Sequence, residues 1–388
     1  MTPENAQHAL FSDILNLNIV NREYAMFSGT FEKITQVFYV QNLLEEILAK
    51  ADVAERLVRA SCQLDGCEFL ADELLSHDAK TLAAELIEGF EYRQGKDPDR
   101  YADDRYILRP LYNLFFTRDA SSCMYGRALI NSMSFDVRSR ESLIYKAIFE
   151  NYFGVSTLWA QKHDNQARTE GGDIHIVRDN LLCIGNGIRT NRHGIDYLVD
   201  SFKGRDEGFS FVVQELPHSP ESFIHLDMVF TFLGPHRCMC YEPMIRKQGI
   251  FANMHTYVIT AAGDRIERKE YDNILMALKS VGVELQPVFC GGDDLWVQQR
   301  EQWHSGANFF SFGENHIIGY RRNTNTIDAL DKAGFSVLMA EDVCAGKVNP
   351  WDYEKCVVTF AASELPRGGG GARCMTCPIN RDAVDWNL

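Results

Sequence analysis

Near the end of the chain, the string RGGGGARCMTCP (Arg367–Pro378) sets Cys374 behind four consecutive glycines. Three strings further upstream carry polar side chains that a plain strand or turn does not require. They are NLFFTRD with Asn113 and Asp119, EGGD with Glu170 and Asp173, and FIHLDMVFT with His225 and Asp227. Each has an ordinary explanation alone: an acid after a strand caps a turn, paired glycines make a tight turn, and a histidine in an apolar run is a hydrogen-bonded core residue. Together they supply a thiol, an imidazole and several carboxylates, which are the parts of a nucleophilic site. His225 and Asp227 are two apart, so on a strand they would share one face. Carboxylates gathered in a buried pocket repel one another unless a cation fills it. The implied substrate is therefore positively charged, and a planar guanidinium fits best, because carboxylates can each take a pair of its forked N–H donors.

These residues need a scaffold, and the sequence changes texture along its length. From Phe31 to Phe90, apolar residues recur at helical spacing, as in NLLEEILAKADVAERLVRA and TLAAELIEGF, and proline is absent. The polar run Arg93–Asp104 reads as a linker. Beyond it come short apolar runs such as FSFVVQEL, HTYVITAAGDRI, NFFSFG and HIIGYRRN, interleaved with helical stretches such as YDNILMALKSVGV. The expectation is a strand-rich α/β domain of small repeated units, although no internal sequence repeat is detectable.

With 388 residues and 45% hydrophobic content the chain can bury a large core. A net charge of -15 argues against nucleic acid or an anionic membrane as the main partner. No apolar run is long enough to span a bilayer, and MTPENAQHALFSDIL lacks the regions of a signal peptide, so a cytoplasmic location is expected. The eleven cysteines are scattered and expected to be reduced. Cys238/Cys240 and Cys374/Cys377 leave a zinc site and a redox pair open as other readings. No nearby histidine pair completes a zinc site, and Pro378 stands where a redox motif would start its helix.

Four strings in this order, FFTRD, EGGD, HLDMVFT and RCMTCP, resemble the arginine deiminase family of the guanidino-modifying superfamily, along almost the whole chain. The resemblance implies a five-bladed, pseudo-symmetric α/β propeller (residues 1–30 and 105–388) with an inserted α-helical bundle (31–104). It implies hydrolysis of free L-arginine to L-citrulline and ammonia, without metal or organic cofactor, and is compatible with a homo-oligomer. Cys374 would be the nucleophile and His225 the general acid and base. Glu170 would keep His225 protonated, and Asp119 and Asp227 would grip the guanidinium. By the same resemblance, Asn113, Arg138 and Arg189 hold the substrate α-carboxylate, Phe116 and Leu10 line its methylene chain, and Gly371 offers a carbonyl to its α-amino group. The glycines ahead of Cys374 are then expected to form a mobile loop.

Three departures accompany the resemblance. Gly369 stands where the family carries an arginine that helps clamp the carboxylate, which leaves Arg367 or Arg373 to compensate and keeps open another guanidino substrate, amidino transfer, or arginine binding without turnover. The family's first strand has no counterpart here, so the first propeller unit is expected to be short of a strand. Ser12 replaces the first acid of the family's Asp-Asp pair, leaving Asp13.

Overall fold

The computed structural model describes residues 2–3, 5–91, 105–160, 164–205 and 208–382. The linker expected at Arg93–Asp104 lies outside them. The fold is mixed α/β, with five separate sheets among the described residues. Four of these sheets are built alike: an antiparallel hairpin whose second strand then pairs in parallel with a later one. The hairpins are Ser121–Met124 with Arg127–Ile130, Ile174–Arg178 with Leu181–Asn186, Phe230–Gly234 with Arg237–Cys240, and Phe310–Gly313 with His316–Tyr320. Their parallel partners are Thr157–Trp159, Phe209–Glu215, Gln286–Phe289 and Cys356–Phe360.

Parallel pairing demands a crossover connection, and helices supply it. Ser139–Asn151 serves the first unit, Arg192–Phe202 the second, and Thr324–Lys332 lies in the crossover of the fourth. Strands such as Cys356–Phe360, buried at every position, are apolar but for Thr359 because both faces are covered.

The helical expectation for the N-terminal third holds at the level of elements. Val40–Leu48, Ala51–Asp65, Ala71–Leu75 and Ala79–Glu88 bury Leu44, Ile47, Val58, Leu74 and Leu86 against Ile144 and Ile148 of the first crossover helix. Gly66, at φ 68°, ends the second of these helices, and Asp78 caps the last. A preceding helix, Leu17–Ile34, runs across the boundary expected between residues 30 and 31, and its Phe27 and Phe31 pack on Phe360 and Phe310. Its buried Glu23 accepts the backbone N–H groups of Glu364 and Leu365, which anchors the approach to the glycine run. No described helix is long and apolar enough to cross a membrane.

Candidate active site

Each of the four hairpins is preceded by a short turn, and the turns carry the chemistry. Asp119 stands just before Ser121, and Glu170 before the 3-10 turn Gly171–Asp173 that leads into Ile174. His225 and Asp227 precede Phe230, and Asn308 precedes Phe310. A fifth segment, Gly371–Met375, carries Cys374. Hydrogen bonds link the five in a closed circuit. The Gly171 N–H donates to Asp119 O (3.0 Å), and the Leu226 N–H to Asp173 Oδ1 (2.9 Å). Asn308 Nδ2 donates to Asp227 O (3.2 Å), the Arg373 N–H to Asn308 Oδ1 (2.9 Å), and the Arg118 N–H to Cys374 O (3.0 Å).

His225 and Asp227 do not lie on a strand, as their spacing suggested. His225 is extended and caps the 3-10 turn Leu226–Met228 that contains Asp227, and the Asp173 carboxylate stabilises that turn. The EGGD glycines are there for close approach. A Cβ on Gly172 would sit 2.6 Å from the His225 ring, and one on Gly171 would sit 1.9 Å from Arg118 O.

At the centre, His225 Nε2 donates to Glu170 Oε2 at 2.9 Å, and Arg189 Nη1 donates to the same oxygen at 3.0 Å. Glu170 is fully buried and His225 2% exposed. Burial opposes ionisation of Glu170, but Arg189, His225 and Arg138 outweigh it and bring the carboxyl down to about 2. Burial likewise opposes the imidazolium, yet Asp119, the Glu170 hydrogen bond and Asp173 hold His225 up at about 9. Cys374 is 3% exposed, with Sγ 3.3 Å from Asn308 Nδ2 and 3.9 Å from Asp227 Oδ2. Burial, then Asp227 and Asp119, push its thiol well above the ordinary range.

Asp119 and Asp227 share a pattern. Asp119 Oδ2 accepts from Arg138 Nη1 at 2.7 Å, and Asp227 Oδ2 from Arg373 Nη1 at 2.8 Å. The other oxygen of each, Oδ1, is buried and has no hydrogen-bond partner among the described residues. Such atoms are costly unless something fills the space before them. Asp119, Glu170 and His225 also stand close enough to one another to bracket a metal ion. Most of their atoms are already engaged, however: Glu170 by His225, Arg189 and the Ser134 N–H, and one oxygen of Asp119 by Arg138. Two guanidinium groups inside this cluster disfavour a further small cation.

The remaining expected residues are placed unequally. Phe116 is buried, its ring tilted by 34° against Phe115 with the centroids 4.0 Å apart, and it meets the backbone of Gly370. Asn113 Nδ2 donates to Ala9 O at 2.7 Å, beside Leu10, whose φ is 63°. Arg189 lies over the Phe135 ring and keeps a buried Nε without a partner. Arg138 is fully engaged, by Asp119, both oxygens of Glu141 and two backbone carbonyls. Gly371 O takes the Met375 N–H at 3.4 Å. Of the two arginines that might stand in for Gly369, Arg367 is on the surface with Asp13 and Glu364, and Arg373 is buried on Asp227.

The glycine run is tightly packed except at Gly369. A Cβ on Gly370 would meet the Phe116 ring at 2.4 Å, one on Gly371 would meet Asn308 Oδ1 at 2.5 Å, and Gly369 adopts φ 85°. All eleven cysteines are free, and Cys377 turns toward Ser121, 3.5 Å away, while Cys374 turns toward Asn308. Sequence reading missed Asn308 altogether. Its only local signal was a polar residue just ahead of the apolar run FFSF, the setting that had drawn notice at NLFF.

The family model for arginine deiminase matches residues 7–381. The chain belongs to the arginine deiminase family. An arginine deiminase of Listeria innocua serovar 6a is 29% identical, the match spanning 98% of this chain and 92% of that one. One from Listeria monocytogenes serotype 4a is 28% identical over the same shares. Among solved structures, unliganded AgrE gives a TM-score of 0.47 at 16% identity, covering 71% of this chain and 32% of the other. Cys374, His225, Glu170, Asp119 and Asp227 fall within one buried cluster.

Proposed function

We propose that the chain hydrolyses the guanidinium of free L-arginine to L-citrulline and ammonia through a covalent intermediate on Cys374. The observation that carries this reading is the pair of buried oxygens that make no hydrogen bond among the described residues, Asp119 Oδ1 and Asp227 Oδ1, beside a thiol and an imidazole. Each acid spends one oxygen on a protein arginine, which orients it, and leaves the other for an N–H of the substrate. A guanidinium seated there neutralises the two anions that hold the thiol protonated, so the substrate itself favours the thiolate.

As the guanidinium seats, Cys374 loses its proton to solvent, and the thiolate adds to the guanidinium carbon, whose charge the carboxylates localise. His225 gives its proton to the departing nitrogen as the C–N bond breaks, and ammonia leaves a thiouronium on Cys374. Having lost that proton, His225 takes one from water as the hydroxide attacks. Collapse expels the sulfur, which takes up the hydroxyl proton to restore the thiol, and releases the ureido product. Glu170 holds the imidazole in place and in its charged form.

For the substrate tail, Arg189 is the best placed of the expected carboxylate partners, because its Nε is free. Asn113, Phe116, Leu10 and the Gly371 carbonyl complete the proposed tail site. Arg138 serves better as the counter-ion of Asp119, since each nitrogen of its guanidinium already has a partner. The room at Gly369, where a Cβ would meet only Ser12 Oγ at 4.0 Å, favours a second reading, a guanidino substrate with a different tail.

The same reading includes the five-unit propeller, with residues 371–375 as the fifth turn of the circuit and the helices within 31–104 as an insert. A cytoplasmic setting and a small-molecule partner, with neither nucleic acid nor membrane, accord with the charge of -15. The test is a colorimetric citrulline assay on the wild type, Cys374→Ala and His225→Ala, with agmatine and guanidino acids as competing substrates. Citrulline is expected from the wild type alone, and turnover surviving in Cys374→Ala would sink the proposal.

A further inference from the structure

The circuit of turns carries more than the residues assigned so far. Three of the four hairpins present an acid or a histidine to the centre, from Asp119, Glu170, and His225 with Asp227. The fourth presents Asn308, 1% exposed, two residues ahead of its strand, as Asp119 is ahead of its own. We infer that Asn308 is a catalytic residue of this site, donating an amide N–H to Cys374 Sγ and so stabilising the sulfur as an anion before and after the covalent step.

The orientation of the amide follows from its partners. Arg373 N is only a donor and lies 2.9 Å from Oδ1, while Asp227 O is only an acceptor and lies 3.2 Å from Nδ2. The nitrogen must therefore face the sulfur, 3.3 Å away. A hydrogen bond to the charged form favours it. That donor is present before substrate arrives, in a pocket where burial and two carboxylates oppose ionisation. An acid at this fourth position would add a third anion against the thiolate, so a neutral amide is the side chain the chemistry calls for. Gly371 lacks a side chain for the same reason, as a Cβ there would collide with this amide.

The inference rests on Cys374 being the nucleophile, and its test separates that question from the role of Asn308. Asn308→Asp keeps the oxygen that accepts the Arg373 N–H but removes the donor to sulfur together with the bond to Asp227 O. Asn308→Ala removes oxygen and donor alike. The pH dependence of iodoacetamide alkylation at Cys374, followed on its peptide by mass spectrometry without substrate, reports the thiolate directly. In both variants its midpoint is expected to rise by about one pH unit or more, furthest in Asn308→Asp. kcat is expected to fall about 10- to 100-fold in Asn308→Ala and further in Asn308→Asp, with KM within about threefold. An alkylation midpoint unchanged in Asn308→Asp overturns the inference, and so does a loss confined to KM. A wild type that releases no citrulline counts against the proposed reaction, and the alkylation profiles still decide the role of Asn308.

Discussion

Two histidine–carboxylate pairs lie in neighbouring parts of the molecule and differ in everything except their chemistry. His193 and Asp164, on an open surface cavity of about 550 Å³ with Asp196 and Asp200, approach to 2.6 Å. His225 and Glu170 are longer, at 2.9 Å. The surface pair has side chains 49% and 37% exposed, and water screens it, so the shorter contact changes little. The inner pair is dry, flanked by Asp119, Asp173 and Arg189, and its histidine stays charged up to about 9. Distance alone therefore does not set the strength of such a pair. Exclusion of water and the neighbouring charges do.

That contrast can be broken in several places. The largest effect is expected from Cys374→Ala, which should lower turnover by at least about 10⁴-fold while the far-ultraviolet circular dichroism stays native. Glu170→Gln comes next. With the anion gone the imidazolium loses support, so kcat should fall about 10²- to 10³-fold and the alkaline limb of the pH–rate profile should move to lower pH. Gly172→Ala pushes a methyl group into the His225 ring, with an expected loss of about 10- to 100-fold in kcat and little change in KM.

In the wild type, the rate should fall as pH rises through about 9, where His225 gives up the proton that ammonia needs. The sign for stability runs the same way. A folded value raised above 6.5 gives stability that is complete below 6.5 and is lost as pH rises through about 9. Equilibrium denaturation across that range measures it, and a flat profile would contradict the buried imidazolium. The smallest effect belongs to the surface pair: His193→Ala should leave kcat within about twofold and the melting temperature unchanged.

Much of the scaffold was legible in advance because it is written in short periods. Leu43, Leu44, Ile47 and Leu48 repeat every three to four residues, and that spacing alone produces the buried face of a helix. Runs such as FSFVVQE and HIIGY became strands for similar local reasons. The fourfold hairpin plan was not legible, since each unit fills it with different side chains and crossovers of different length. The glycines ahead of Cys374 were read as freedom to move. In the fold, Gly370 and Gly371 are needed where backbone lies against Phe116 and Asn308.

The sequence by itself determined the inventory: one thiol, one imidazole and acids of the right kind in an order that resembles a family, plus the helices and strands that carry them. Only the tertiary structure decided their partners. It assigned Arg138 to Asp119 and Arg373 to Asp227, left one oxygen of each acid open, and brought Asn308 to the sulfur. The physical reason is range. A helix or strand is fixed by neighbours a few residues away, whereas Asn308 and Cys374 are 66 positions apart and Asp227 and Arg373 are 146 apart. Contacts across such separations arise when hairpins pack side by side, and no local pattern encodes which turn will face which.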